Sequence, residues 1–331
     1  MLTWRSVEEW YGQLCNAAHA SAQQFEGKSV GVARRIAAEQ RIRNLNERTF
    51  LNNLTPTTGS HHLRLEEFWH LLDVTGAKHP LHVVARQRSQ LVAPVPDPEA
   101  VSMSALFGAF SLRKREITET QELVYSVLER KQPFSSIAAR ESLLREVYED
   151  FCESISILLK LQTITPNLKN VESRIWQQNA AMRLYHCTQA VSEFAVHHSN
   201  ELIHDSVLPA NRVQRLRSPE ESGRLSLRHF LQLLEKDSGG RLLEALLESL
   251  GFKSYPLPPL TWQPTHSNLM DSYSDLEQRQ ADTISRIRGA LDDGVITVDE
   301  LKDIRQELEE EYQAEVTLIM SLPVIHSMSE P

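Results

Sequence analysis

Apolar residues recur at three- and four-residue steps along almost the whole chain. Val7, Trp10, Tyr11, Leu14, Ala18 and Phe25 form one such stripe, and Ser6-Val7-Glu8-Glu9 opens it with a capping-box pattern, so the spacing predicts a first helix. Leu123, Val127, Ile137, Leu143, Leu144, Val147, Phe151, Ile155, Leu158 and Leu159 form a second stripe. Its interruption at Gln132-Pro133 predicts a helical hairpin over Glu116–Leu161. A third stripe runs through Ile284, Ile287 and Leu291, then Leu301, Ile304, Leu308, Tyr312 and Val316, folding back around Asp292-Asp293-Gly294. Alternation of period two has no useful length anywhere, so the expected fold class is all-α. Two Pro-bearing segments, Val92–Pro98 and Tyr255–Pro264, read as semi-extended linkers.

The linkers expose how the chain is organised. A shift of 162 positions lays Leu63 on Leu225, Leu65 on Leu227, Phe68 on Phe230, Leu71 on Leu233, Leu72 on Leu234 and Leu81 on Leu243. In the same register Pro94 falls on Pro256 and Pro96 on Pro258. Leucines match by chance in any leucine-rich helix, but a Phe and two prolines in one ungapped register indicate an internal duplication, about Leu2–Leu161 and Val171–Leu322. The expected domains are a first helix-turn-helix module with its linker (1–98), a hairpin (99–170), a second helix-turn-helix-like module with its linker (171–264) and a C-terminal hairpin (265–331). The hairpins are expected to pack together.

In the first copy Val30 to Ile42 reads as a basic helix carrying Arg34, Arg35 and Arg41, with Arg43 directly after it. Asn44 suits a left-handed turn residue. A short helix from Asn46 to Leu54 then turns Phe50, Leu51 and Leu54 inward, which sets Arg48, Thr49, Asn52 and Asn53 on the open side. Arginine pairs with guanine and asparagine with adenine, so this face has the chemistry of base edges and phosphates. In the second copy the matching stretch is Leu208 to Arg217, with Pro209 as its first helical residue and Arg212, Gln214, Arg215 and Arg217 as its basic and amide face. It follows the acidic Glu201-Leu202-Ile203-His204-Asp205, so weaker binding or a supporting role is expected of the second module.

Composition narrows the classes. A chain of 331 residues fits about two domains, and 41% apolar with 24% charged residues is ordinary for a globular protein. No segment offers the ~18 uninterrupted apolar residues of a membrane span. Met1 to Ser6 lacks the basic head and apolar core of a secretory signal, so a cytoplasmic protein without membrane attachment is expected. A net charge of −9 argues against indiscriminate nucleic-acid binding and confines duplex contacts to the local basic clusters. Cys15, Cys152 and Cys187 are far apart, form no CxxC pair and read as reduced core residues.

Chemistry beyond binding finds no support. Gly289 to Glu300 has Gly294, Ile296 and Glu300 at positions six, eight and twelve of a calcium loop, but Gly289 and Leu291 stand where oxygen ligands are required. His186, Cys187, His197, His198 and His204 lack the spacing of a zinc motif. Phosphate-loop, dinucleotide and nucleophile signatures are missing, so the expectation is no enzyme, no cofactor, no metal and no small-molecule substrate.

Several stretches resemble the CII-type regulatory proteins of temperate phages, in the branch found in P2-like phages. Leu54-Thr55-Pro56 stands where that family commonly has Leu-Asn-Pro, His62-Leu63-Arg64-Leu65-Glu66-Glu67 resembles its next helix start, and Asp73-Val74-Thr75-Gly76 resembles its Asp-x-Thr-Gly helix end. The segment from Ile287 to Glu300 resembles its terminal hairpin. Thr55 and Ala77 depart from the family's usual Asn and Asp, and the second copy keeps only Pro219 and the leucine spacing. The resemblance implies a transcriptional regulator of the lysogeny decision that binds double-stranded DNA and works as a homo-oligomer through its C-terminal helices. Two recognition helices on one chain would address successive major grooves about 34 Å apart. The same leucine stripes on acidic hairpins also fit an assembly or interaction factor without DNA contact, and the exposure of the two arginine clusters separates the readings.

Overall fold

The structure, a computed structural model, describes residues 6–39, 41–42, 45–54, 62–96, 137–164, 179–259, 269–292 and 296–322, with some positions between 101 and 125. In chain order its elements are α1 (Val7–Gln24), α2 (Lys28–Ala38), α3 (Glu47–Leu54), α4 (Leu65–Thr75), α5 (His79–Gln87), β1 (Gln90–Pro94), α6 (Ile137–Ile164) and α7 (Ala180–His197). There follow α8 (Ser199–His204), α9 (Ala210–Arg215), α10 (Pro219–Gly223), α11 (Leu227–Lys236), α12 (Arg241–Ser249), β2 (Phe252–Pro256), α13 (Leu269–Asp292) and α14 (Val298–Ser321). The described positions from 106 to 125 are helical too. The expected breaks at Gln132-Pro133 and Asp293-Gly294 lie outside the described residues.

Local chemistry sets the helix ends. The Ser6 hydroxyl accepts the Glu9 N–H at 3.3 Å, and Asn179 does the same for Met182 at 2.9 Å at the head of α7. Between α1 and α2 the chain turns at Gly27, whose φ of +74° suits glycine. Gly31 lets α2 start close to the end of α1, since a Cβ there would stand 2.0 Å from the Glu26 carbonyl oxygen. The α2 helix stops at Ala38, four residues short of the expected Ile42. Glu39 forms ion pairs with Arg35 and Arg41, and the Arg41 N–H returns to the Ile36 carbonyl at 3.1 Å, closing the helix with a wide turn. Gly76 at φ +63° ends α4 by donating to Leu72 at 2.8 Å.

The duplication is visible residue by residue. The helices α5 and α12 lie 162 positions apart at both ends, and so do β1 and β2. The helices α1 and α7, 18 residues each, lie 173 apart. Val7 to Leu65 is 58 positions and Ala180 to Leu227 is 47, so the second copy is 11 residues shorter between its first helix and α11. There α8 and α9, six residues each, replace α2 and α3.

The chain forms two compact units, each drawing on both copies: Met1–Val92 with Arg174–Tyr255, and Ala93–Ser173 with Pro256–Pro331. The unit boundaries fall at 92, 173 and 255, the first and last of them at the starts of the two segments read as linkers. The strands β1 and β2 run into those linkers and pair with each other, so an all-α expectation gains one small sheet.

In the first unit the copies share a single core. Trp10, Leu14, Phe50, Phe68, Trp69 and Leu71 from the first copy join Val191, Leu225, Phe230, Leu234, Leu243 and Leu246 from the second. Its centre is a reciprocal pair of backbone hydrogen bonds. Leu65 N–H donates to Leu225 O at 2.8 Å, and Leu227 N–H donates to Leu63 O at 2.7 Å, flanking an antiparallel bridge between Arg64 and Ser226. Arg64 and Ser226 are counterparts 162 positions apart, and exchanging the copies carries each hydrogen bond onto the other, which is the self-complementary contact of a twofold interface made within one polypeptide. Trp69, fully buried, donates its Nε1–H across the copies to Ser249 Oγ at 2.8 Å, and Arg183 lies 5.4 Å from its ring.

In the second unit α6 packs on α14 and α14 on α13, burying Leu143, Val147, Ile155, Leu158, Ile304, Leu308, Val316 and Ile319. Phe151 and Tyr312 stack at 4.4 Å, and a shift of 161 carries one onto the other. Beside them Arg113, buried, binds Glu311 at 2.7 Å and Ser154 at 2.6 Å. Burial, then the charges of Glu311 and Asp150, push the Glu315 carboxyl up to about 8, with Arg113 opposing them.

Two outcomes follow. Trp69→Ala should cost ~3–5 kcal/mol in urea unfolding by emptying the shared core, and Trp69→Phe, which keeps a smaller aromatic ring and loses the Ser249 bond, about 1–3 kcal/mol. Glu315 is protonated in the folded state up to about pH 8 and ionises near 4.5 when unfolded, so it costs stability as pH rises between those values. Glu315→Gln should therefore gain on the wild type as pH rises through that window, and a constant difference would count against a buried neutral carboxyl.

Candidate nucleic-acid interface

Which arginines of the first copy remain available is decided by nearby carboxylates. Arg34 on α2 is exposed. Arg35 is exposed as well, but it pairs with Glu39. Arg41 is partly buried between Glu39 and Asp73, and Asp73 also takes Arg183 at 2.8 Å. Arg43 lies outside the described residues. On α3, Arg48, Thr49 and Asn52 are exposed on one side, while Phe50, Asn53 and Leu54 are buried on the other.

Asn53 corrects the expectation that it shares the open face. It sits three residues after Phe50 and one before Leu54, on the helix's inward stripe, and is 7% exposed. There its amide donates to the buried Glu67 carboxylate at 3.2 Å, whose other support is the Arg64 backbone N–H at 2.9 Å. A buried carboxylate needs such donors, and Asn53 supplies one of them. Arg41 likewise serves the fold through Asp73.

In the second copy the basic segment forms only the six-residue α9, with Pro209 as the residue before it, at ψ 148°, rather than its first helical residue. Gln214, Arg215 and Arg217 are exposed and Arg212 is partly buried. Arg212 donates to the Arg224 carbonyl at 3.1 Å and Arg215 pairs with Glu221 at 2.5 Å. Among the described residues Arg34, Arg48 and Arg217 have no ion-pair partner. These exposed, unneutralised cations are the part of the expected face best suited to an external polyanion.

The structure brings the two basic elements together through residues the motif search passed over. Arg64 and Arg224, beside the central bridge, line both a cleft of about 280 Å³ with Asn46 and Thr49 and a cleft of about 490 Å³ with Asn211, Arg212 and Arg215. The elements α3 and α9 therefore flank the bridge. The 162-residue shift held the signal for this, because it lays His62 on Arg224, Glu66 on Arg228 and Glu67 on His229. Burial, then the charges of Arg212, Arg228 and His62, hold His229 below the ordinary histidine range.

The remaining chemical candidates sit in structural roles. Cys15, Cys152 and Cys187 are free and buried, and burial pushes the Cys187 thiol up to about 12. His197 Nδ1 lies 2.7 Å from the Glu193 carbonyl and His204 Nδ1 lies 3.1 Å from Asp205. Among the described residues, no group of three or more His, Cys, Asp or Glu is arranged to hold a metal ion, and no helix is long and apolar enough to cross a membrane.

Fold and surface define a tandem-duplicated helical protein whose two copies pair internally about a pseudo-twofold and present basic short helices beside it. The family model for phage regulatory protein CII (CP76) matches the chain twice, at residues 13–150 and 185–323, so the chain belongs to the phage regulatory protein CII family. Comparisons with curated proteins and with solved structures return no match.

The division between structural and available residues is testable. Asn53→Ala should cost ~1–3 kcal/mol of stability by stripping a buried carboxylate of a donor, whereas Arg48→Ala should fall within about ±0.5 kcal/mol. Equal losses in denaturant midpoints would contradict the assignment of Asn53 to the core.

Proposed function

We propose that the protein is a phage-type transcriptional regulator that binds duplex DNA in a sequence-specific manner. The observation that carries this reading is the outer face of α3, where Arg48, Thr49 and Asn52 are exposed together on a helix whose opposite face is locked into the core. The helices α2, α3 and α4 supply the frame of a helix-turn-helix, and α3 serves as the recognition helix. Arg34 and Arg35 on α2 contact the flanking backbone. In the second copy Gln214, Arg215 and Arg217 form a smaller counterpart, and the acidic start of α8 at Glu201 weakens it.

A recognition element on each side of a pseudo-twofold matches an operator with inverted half-sites, and one chain supplies both. The duplication thereby does within a polypeptide what a dimer does with two, and each site takes one chain. Further association of chains runs through the hairpin unit, and the regulator acts in the host cytoplasm. Met182, Tyr185 and Val196, apolar and exposed on α7, favour protein association as the second reading, with the chain as an assembly factor.

Fluorescence-anisotropy titration against duplex fragments from the gene's own neighbourhood and against random duplex tests the proposal. The expected result is fragment-selective binding at one chain per site that weakens steeply with salt, about a hundredfold between roughly 50 and 200 mM for four phosphate contacts. Arg48→Ala should cost ~1–3 kcal/mol on the preferred fragment and relax its selectivity. Absence of binding at both salt concentrations would overturn the proposal and bring the assembly reading forward.

A further inference from the structure

The two clefts beside the central bridge are equivalents in the duplication, yet they differ in charge. The one beside α3 is lined by the carboxylates Glu66 and Glu67 as well as by Arg64 and Arg224. In the one beside α9 the counterpart of Glu67 is His229, and among the described residues no carboxylate lines the walls. Its charged and titratable lining is Arg64, Arg212, Arg215, Arg224, His62 and His229. Asn211 and Ser226 add neutral hydrogen-bonding groups.

The geometry accounts for how so many cations are held together. Glu221 pairs with both Arg215 at 2.5 Å and Arg224 at 2.9 Å, and Glu66 lies 3.6 Å from Arg64. Arg212 is fixed by its bond to the Arg224 carbonyl, and His229 Nδ1 lies 2.6 Å from the Ser226 hydroxyl. Two carboxylates stand against four guanidinium groups, so positive charge remains in excess, and all of it faces the same space. A wider pocket of about 600 Å³ nearby has Glu39, Glu66 and Glu220 in its walls and does not share this character.

We propose that the cleft between α9, the head of α11 and the Arg64 bridge is a phosphate-binding site, with His229 standing where the first copy has Glu67. Planar guanidinium forks suit the paired oxygens of a phosphate, and a volume of about 490 Å³ admits one phosphate group with the moiety that carries it. The phosphate comes either from the backbone of a bound duplex, in which case the inference rests on the DNA-binding reading, or from a soluble phosphate, in which case it stands without it.

The test uses the full chain, inorganic phosphate as probe in isothermal titration, and duplex binding measured in parallel. His229→Glu writes the first copy's residue into the second cleft, and Arg212→Lys retains charge but loses the fork. Both are checked by thermal melting. His229→Glu is expected to weaken phosphate or duplex binding at least tenfold, and Arg212→Lys to weaken it less. If duplex affinity falls uniformly over all sequences and inorganic phosphate competes with the duplex, the site holds backbone phosphates. If only the inorganic phosphate response falls, the site takes a soluble phosphate, and this result stands even where the wild type binds no duplex. A folded His229→Glu protein that keeps wild-type affinity for both probes, or a wild type with no affinity for either, would overturn the assignment.

Discussion

The reciprocal hydrogen bonds between Leu63–Leu65 and Leu225–Leu227 are the constraint on which the first unit depends. Two short extended segments pair with their own counterparts, and each is followed at once by a helix, α4 or α11. Those helices are consequently set side by side in inverse order, and their apolar faces close one core. Neither copy covers that face from its own residues. Trp69 of the first copy finds its hydrogen-bond partner only in Ser249 of the second. The twofold relation also appears in the second unit, where Phe151 stacks on Tyr312. A contact of this kind ordinarily joins two identical subunits. Tandem duplication makes it intramolecular and removes its dependence on concentration.

Once the copies are joined in one chain, they no longer need to stay identical. The core positions kept their pattern, because each buried leucine must still meet its counterpart. The surface did not keep it. The second copy is 11 residues shorter between its first helix and α11, with α8 and α9 in place of α2 and α3. Its cleft beside the bridge has His229 where that of the first copy has Glu67.

Much of this was legible from residue spacing. The periodicity of apolar residues marked α1, α6, α13 and α14, and the register that matches Phe68 with Phe230 and Pro94 with Pro256 marked the duplication. The family resemblance was carried by the same residues. The strand pair was hidden, since β1 and β2 are five residues each, carry proline, and gain their hydrogen bonds from a segment 162 positions away. Local pattern holds no trace of such pairing. Asn53 and Arg41 misled because residue type alone does not tell an amide or a guanidinium serving a buried carboxylate from one facing solvent. The basic cleft was overlooked because its members come from three separate places in the chain, though the loss of a carboxylate from Glu67 to His229 was present in the alignment of the two copies.

Native-state hydrogen exchange of the full chain probes the central claim, that the two copies share one cooperative core. The amides of Leu65 and Leu227, which carry the crossing bonds, should exchange together with the slowest amides of α4 and α11, at the free energy of global unfolding. Exchange of the α1 to α5 amides at a free energy distinct from that of the α7 to α12 amides, with Leu65 and Leu227 released early, would contradict it and leave two independently folded copies in its place.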